Sequence, residues 1–267
     1  MHNEENKQIK ILLDNISHYY ITEDKERVEA LSSITASITD GEFVSIIGPS
    51  GCGKTTILNI LAGLVVPSSG KILLDNKEVI GPGSDRGMVF QQDAILLWRK
   101  VLANVEYGLE LKGYPKEERK KIALKYLTLV GLEKFKDLYP KELSGGMRKR
   151  VQIAAVFAND PDVLLMDEPF GPLDYPTKCS LQNEILKMWT EFKKTVVFVT
   201  HDVEEALFLS DRIFVIIDGR LVDIIKAPFP RPRRNELRIN KNFSELKMEL
   251  FNRIEVKRII EQSEEKI

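Results

Sequence analysis

The sequence predicts an α/β protein, a core of parallel strands alternating with helices and interrupted by a mainly helical insertion. Three observations carry this. The apolar run Ser45-Ile46-Ile47 passes through a glycine-rich loop into residues with helical spacing. Val163-Leu164-Leu165-Met166 and Val196-Val197-Phe198-Val199 are buried-type runs, each ending in polar residues and each followed by a helical pattern. Strands that alternate with helices and end in polar side chains belong to a parallel sheet with a site along that edge.

The first strands fall in residues 9–20 and 30–47, rich in Ile, Leu, Val, Ser and Thr and punctuated by Asp40-Gly41, with a charged hairpin loop between them. After the glycine-rich loop, Ile57, Leu58, Ile60, Leu61 and Leu64 mark a helix over 55–64, stopped by Pro67-Ser68-Ser69-Gly70. Short strands follow at 71–74 and 88–90. Beyond Gln91 the texture changes to a loop and helical patterns at 101–111, 115–130 and 144–158, so about 92–160 is a helical insertion. The strand at 163–166 precedes a helix near 177–193, and the strand at 196–199 precedes one near 203–209. Lys226 to Arg238 holds three prolines and five basic residues against one Glu and reads as an extended, solvated linker. Asn242 to Ser263 then reads as a packing helix with Leu246, Leu250 and Ile254 on one face.

Composition narrows the function classes. A chain of 267 residues with 43% hydrophobic and 30% charged content suits one large soluble domain, or a domain with a subdomain. Lys plus Arg at 39 against Asp plus Glu at 40 leaves no positive surplus for nucleic acid. The N-terminal residues 1–7 are polar, without a signal-peptide core, and the longest apolar stretch, Ile57 to Val66, contains Asn59 and is too short for a membrane span. These features predict a soluble chain made in the cytosol. Cys52 and Cys179 lie far apart in sequence, so no structural disulfide is expected.

Gly48-Pro49-Ser50-Gly51-Cys52-Gly53-Lys54-Thr55-Thr56 fits G-x-x-x-x-G-K-[ST] at every specified position. Its glycines let successive N–H groups curl round an anionic oxygen, and the following helix adds its positive end to the same spot. Lys54 reaches the β/γ-phosphates and the Thr55 hydroxyl is suited to Mg2+. Cys52 reads as one of the loop's variable positions; the alternative reading is a lowered pKa and a reactive thiol, from its closeness to Lys54 and a helix N-terminus. Asp167 ends a core strand where it can hold Mg2+, and Glu168, one residue on, can polarise a water attacking the γ-phosphoryl group. Leu143-Ser144-Gly145-Gly146-Met147 is a Ser-Gly-Gly turn capping a basic helix, a second anion site in the same chain.

Taken together, Gly48 to Thr55, Gln91, Leu143 to Met147, Val163 to Glu168, Leu173-Asp174 and His201 resemble, in order, an ABC-type ATPase cassette. The resemblance implies a P-loop NTPase (RecA-like) core with an N-terminal antiparallel β subdomain and an inserted helical subdomain. It spans about 9–225, leaving 226–267 as a basic, Pro-rich linker and C-terminal helix. It implies ATP and Mg2+ as ligands and a second cassette as partner, paired head to tail so that each ATP lies between one phosphate loop and the partner's Ser144-Gly145-Gly146 turn. Gln91 looks like the residue that touches Mg2+ and the attacking water, and His201 like the switch histidine on the γ-phosphate. Tyr20 looks like the aromatic that stacks on adenine, with Tyr19 as fallback, and Asp174 like the residue linking the two cassettes.

Gly81 to Gln91, Asn104-Val105, Gly108 to Leu111 and Glu168-Pro169-Phe170-Gly171 are similar to the nitrate/sulfonate/taurine importer branch. That implies a peripheral ATPase at the cytoplasmic face of the cell membrane, coupled to a separate permease and, indirectly, to an extracytoplasmic solute-binding protein. Three positions depart from the pattern. Leu97-Trp98 lacks an intervening Pro, Lys149 replaces the usual Gln, and Ala155 stands where Arg is frequent. An exporter ATPase is the closest competitor, disfavoured only by residues 81–111. DNA-repair relatives insert long coiled coils between the two halves, whereas ~90 residues separate Lys54 from Ser144 here, without sustained heptads.

Overall fold

The computed structural model describes residues 8–171 and 173–264, with side chains as far as Glu255. The polar stretch 1–7 lies outside the described residues. Contacts divide the chain into two compact units: residues up to Gly83 together with those from Thr195 onward, and Ser84–Lys194 between them.

The first unit begins with a long hairpin, β1 (Ile9–Ile21) and β2 (Arg27–Thr39), followed by β3 (Phe43–Ile47), helix α1 (Lys54–Ala62), β4 (Ser69–Leu74) and a short β5 (Lys77–Glu78). The second unit holds β6 (Arg86–Val89), α2 (Val101–Leu111), α3 (Lys116–Leu129), α4 (Gly145–Ala158), β7 (Val163–Asp167) and α5 (Tyr175–Phe192). The chain then returns to the first unit with β8 (Thr195–Val199), α6 (Val203–Leu209), β9 (Arg212–Ile217), β10 (Arg220–Lys226) and α7 (Lys241–Glu264).

Two sheets build the first unit. In one, β2, β1, β4 and β5 lie side by side and antiparallel. In the other, β3 is flanked by β8 and β9, both parallel to it, with β10 antiparallel on β9. All five residues of β3 and of β8 are buried, which is why these runs carry no polar alternation. In the second unit β6 and β7 pair in parallel, Val89 opposite Met166, and α2, α3 and α4 pack on one another. Val163, Leu164, Leu165 and Met166 are at most 1% exposed, each contributing about 2 kcal/mol of apolar burial.

Three expectations are corrected. Strands β9 and β10 are absent from the sequence reading, although Asp218-Gly219 between two apolar runs is a hairpin signal and both residues adopt the positive φ of a type I′ turn. Strand β2 starts at Arg27, so the hairpin loop is shorter than 21–29. The stretch 226–238 is not a solvated linker: Arg233 is buried and donates to the carbonyls of Leu207, Phe208 and Ser210, while Arg231 reaches Leu209 O at 2.6 Å. These are the orphan carbonyls and the exit residue of α6, so two arginines from the tail cap that helix. Burial, with Arg231 beside it, pushes Arg233 down to about 10, still cationic at neutral pH. The face of α7 is as expected, with Leu250 buried and Leu246 and Ile254 half-buried, and Phe243 adds an anchor against Phe229.

Candidate nucleotide site

In the first unit the loop from Gly48 to Gly53 leaves the end of β3 and enters α1. A Cβ at Gly48 would collide with the Ile216 carbonyl of β9, and Gly53 sits at φ +98° with the Ala30 carbonyl where a side chain would begin. Both positions therefore demand glycine. Pro49 is half-buried, and Ser50, Gly51 and Thr55 are exposed. Lys54, 6% exposed, folds back so that Nζ donates to Gly48 O at 2.9 Å and Pro49 O at 2.7 Å. A cation is thus held against the loop's own backbone, at the positive end of a helix.

The Tyr20 hydroxyl lies 3.2 Å from Thr56 Oγ1 on α1 and its ring is exposed, whereas the Tyr19 ring is covered by the Arg27 guanidinium at 4.6 Å. Of the two tyrosines, it is Tyr20 whose side chain bonds to the first turn of α1. Register brings His201 to the same sheet edge as the loop. Strands β3 and β8 run parallel with Ile46 opposite Val199, so both chains leave the sheet at the same edge. His201 is fixed from both sides: Thr200 donates to Glu205 at 2.5 Å and accepts from Asp202 N, and Asp202 caps α6 by accepting from Glu204 N at 2.8 Å.

Cys52 fits the plainer of its two readings, and the reactive one is corrected. It is 4% exposed, and burial raises its thiol pKa despite Lys54 Nζ at 3.9 Å, with Asp218 adding to the rise. Desolvation outweighs the nearby cation, so the thiol is inert rather than activated.

In the second unit the parallel register of β6 and β7 carries Gln91 to the level of Glu168. Gln91 Nε2 donates to Glu168 Oε2 at 3.3 Å. Asp167, 4% exposed, closes β7, and Glu168 follows at φ +40°, in a left-handed conformation that costs a non-glycine residue about 1 kcal/mol. No sequence signal marks that strain. Among the described residues no three His, Cys, Asp or Glu form a metal cage. The expected donors in each unit, the Thr55 hydroxyl in one and the Asp167 carboxylate with the Gln91 amide oxygen in the other, are hard oxygens that suit Mg2+.

Ser144 is the N-cap of α4, its Oγ accepting from Met147 N at 3.3 Å. Ser144, Gly145 and Gly146 line a cleft of about 440 Å3 together with Arg150, Leu173 and Asp174. The residues expected to face a partner are therefore gathered within one unit. Asp174 caps α5, and the hydrogen bonds from Thr177 hold its carboxyl below the usual carboxylate range. Sequence reasoning missed what Lys149 does. It is 1% exposed, and its ammonium donates to Phe90 O at 2.8 Å, Gln91 O at 2.9 Å and Gln152 Oε1 at 3.1 Å. Burial pushes its pKa down, opposed by the carboxylates of Asp93 and Asp167.

A family model described as ABC transporter matches residues 31–171, just over half of the chain. The chain belongs to the ABC transporter family. As a member it is an ATP-binding, ATP-hydrolysing cassette, the activity its motifs imply. An uncharacterised ABC transporter ATP-binding protein of Methanocaldococcus jannaschii is 51% identical over 92% of this chain and 91% of its own length. The taurine import ATP-binding protein TauB of Roseobacter denitrificans is 41% identical over 84% of this chain and 91% of its own. Among solved structures, a dimeric bacterial ABC transporter cassette superposes with a TM-score of 0.76 at 37% identity, covering 82% of this cassette and all of that one. A post-hydrolysis form bound to ADP and Pi gives 0.75 at 36% identity, with the same coverage.

Proposed function

We propose that this cassette is the ATPase subunit of an importer, peripheral at the cytoplasmic face of the membrane, energising uptake of a small nitrate-, sulfonate- or taurine-like solute through a separate permease. The observation that carries the chemistry is Glu168 at the tip of β7, strained in backbone and held by the Gln91 amide. A carboxylate so positioned orients a water and accepts its proton as the water oxygen bonds to the γ-phosphorus and the bond to the β–γ bridging oxygen breaks, giving ADP and phosphate. Lys54 and the loop N–H groups hold the phosphates, His201 contacts the γ-phosphate, and Tyr20 stacks on adenine. Thr55, Asp167 and Gln91 would hold Mg2+. Bound there, the ion would neutralise charge on the phosphate oxygens.

Two copies pair head to tail, with each Ser144-Gly145-Gly146 turn and Asp174 meeting the partner's nucleotide. The dimeric cassette among the structural relatives supports the pairing of two copies. TauB's name supports import, as does a surface on the second unit suited to a membrane partner. There Asn104, 6% exposed, binds the backbone of Leu96, Arg99 and Lys100 and so fixes a loop presenting exposed Leu97 and Trp98. The described helices include none long and apolar enough to cross a membrane. The test is E168Q: ATP binding should persist, turnover should fall by at least about 100-fold, and an ATP-dependent dimer should accumulate on size exclusion. Normal hydrolysis in that variant would remove Glu168 from the reaction.

A further inference from the structure

Lys149 stands where the resemblance expects Gln, and its three N–H donors meet three acceptors in an interior that excludes water. Two of those acceptors are the backbone carbonyls of Phe90 and Gln91, the segment whose side chain holds Glu168. A second tie lies beside it. Arg148 Nε donates to Asp93 at 2.6 Å, and Arg148 Nη1 donates to Leu143 O at 2.8 Å, just before the Ser144 turn. Both residues sit within a turn and a half of Ser144 on one rigid helix, a rise of about 7 Å. The end of the helix that faces the cleft and the loop that orients Glu168 are therefore fastened through two adjacent side chains.

We propose that Lys149, with Arg148 beside it, is a positioning residue that locks the Gln91 loop to α4, so that engagement of Ser144 by a partner's nucleotide is transmitted to Glu168 of the same chain. This rests on the head-to-tail dimer proposed above. In that dimer the Ser144 turn contacts one ATP while Glu168 acts on the other, so the tie couples the two hydrolytic sites. An ammonium suits the task. Its compact charge serves two carbonyls and an amide at once, and an apolar side chain of similar length would leave both carbonyls unpaired. A tie that served stability alone would alter melting without altering cooperativity.

The experiment compares wild type, K149M, K149R and R148M for ATP binding by the monomer, kcat, and the Hill coefficient for ATP. In K149M we expect the monomer's ATP Kd to stay within about twofold, kcat to fall about tenfold, and the Hill coefficient to drop from about 2 toward 1. K149R should restore most of both. R148M, on a half-exposed side chain that spares the core, should shift both readouts the same way by a smaller factor. Unchanged kcat and Hill coefficient in K149M overturn the proposal, as does a lowered melting temperature with kcat intact. If K149M does not fold, unchanged kcat and cooperativity in R148M overturn it. The E168Q dimer trap separates the two levels. No trapped dimer sinks the dimer itself, whereas a trapped dimer with unaltered K149M sinks only the tie.

Discussion

At the scale of single residues the site is a set of groups held in conformations they would not choose alone. Glu168 occupies the left-handed region without being glycine, and Lys54 and Lys149 are cations in nearly dry surroundings, each satisfied by backbone carbonyls. Cys52 shows the opposing force. In sequence it neighbours a lysine and a helix start, which favour a thiolate, yet burial dominates and raises its pKa. A raised pKa means a smaller thiolate fraction at any pH below it, and hence slower alkylation. With iodoacetamide at pH 8, the half-buried Cys179 should react at least about tenfold faster than Cys52, as read by peptide mass mapping. Faster labelling of Cys52 than of Cys179 would show that the loop opens far more often than its packing implies.

Among elements, those with strong local signals were legible. The phosphate loop, the apolar strands β3, β7 and β8, the helix that starts at Ser144, and the strand-end positions of Asp167 and Glu168 follow from spacing, because period and punctuation are local properties, whereas Gln91 and His201 are singled out by the family resemblance. What escaped depends on partners distant in the chain. The register that sets Gln91 beside Glu168 appears only when β6 pairs with β7. The capping of α6 by Arg231 and Arg233 joins residues more than 20 positions apart, and a Pro- and Arg-rich stretch gives no sign of it. Glu204 adds to the same anchorage by accepting from Arg238 at 2.7 Å and Lys247 at 3.0 Å. Substituting R233M should strip four carbonyls, those of Leu207, Phe208, Ser210 and Phe229, of a charged donor, destabilising the chain by about 3 kcal/mol in urea unfolding and lowering hydrogen-exchange protection in α6 first. A change below about 0.5 kcal/mol would mean that water replaces the arginine without cost.

For the whole molecule the distribution of parts matters more than any one of them. One unit carries the phosphate loop, Tyr20 and His201, and the other carries Gln91, Asp167, Glu168, the Ser144 turn and Asp174. If the Ser144 turn serves a partner's nucleotide, a defect in the loop and a defect in the turn fall in different sites when they sit on different chains. Consider K54A and S144R, each combined with E168Q so that closed dimers persist. In a homodimer of either, both sites are damaged. In the mixed dimer one site receives both defects and the other receives neither, because it joins the intact loop of the S144R chain to the intact turn of the K54A chain. Neither variant alone should dimerise with ATP, and the mixture should, with about one nucleotide trapped per dimer. Had each chain's turn acted on its own nucleotide, mixing would restore nothing. A dimer formed by K54A alone would likewise count against ATP as the element that joins the two chains, so the three size-exclusion traces together decide whether the site is completed within one chain or between two.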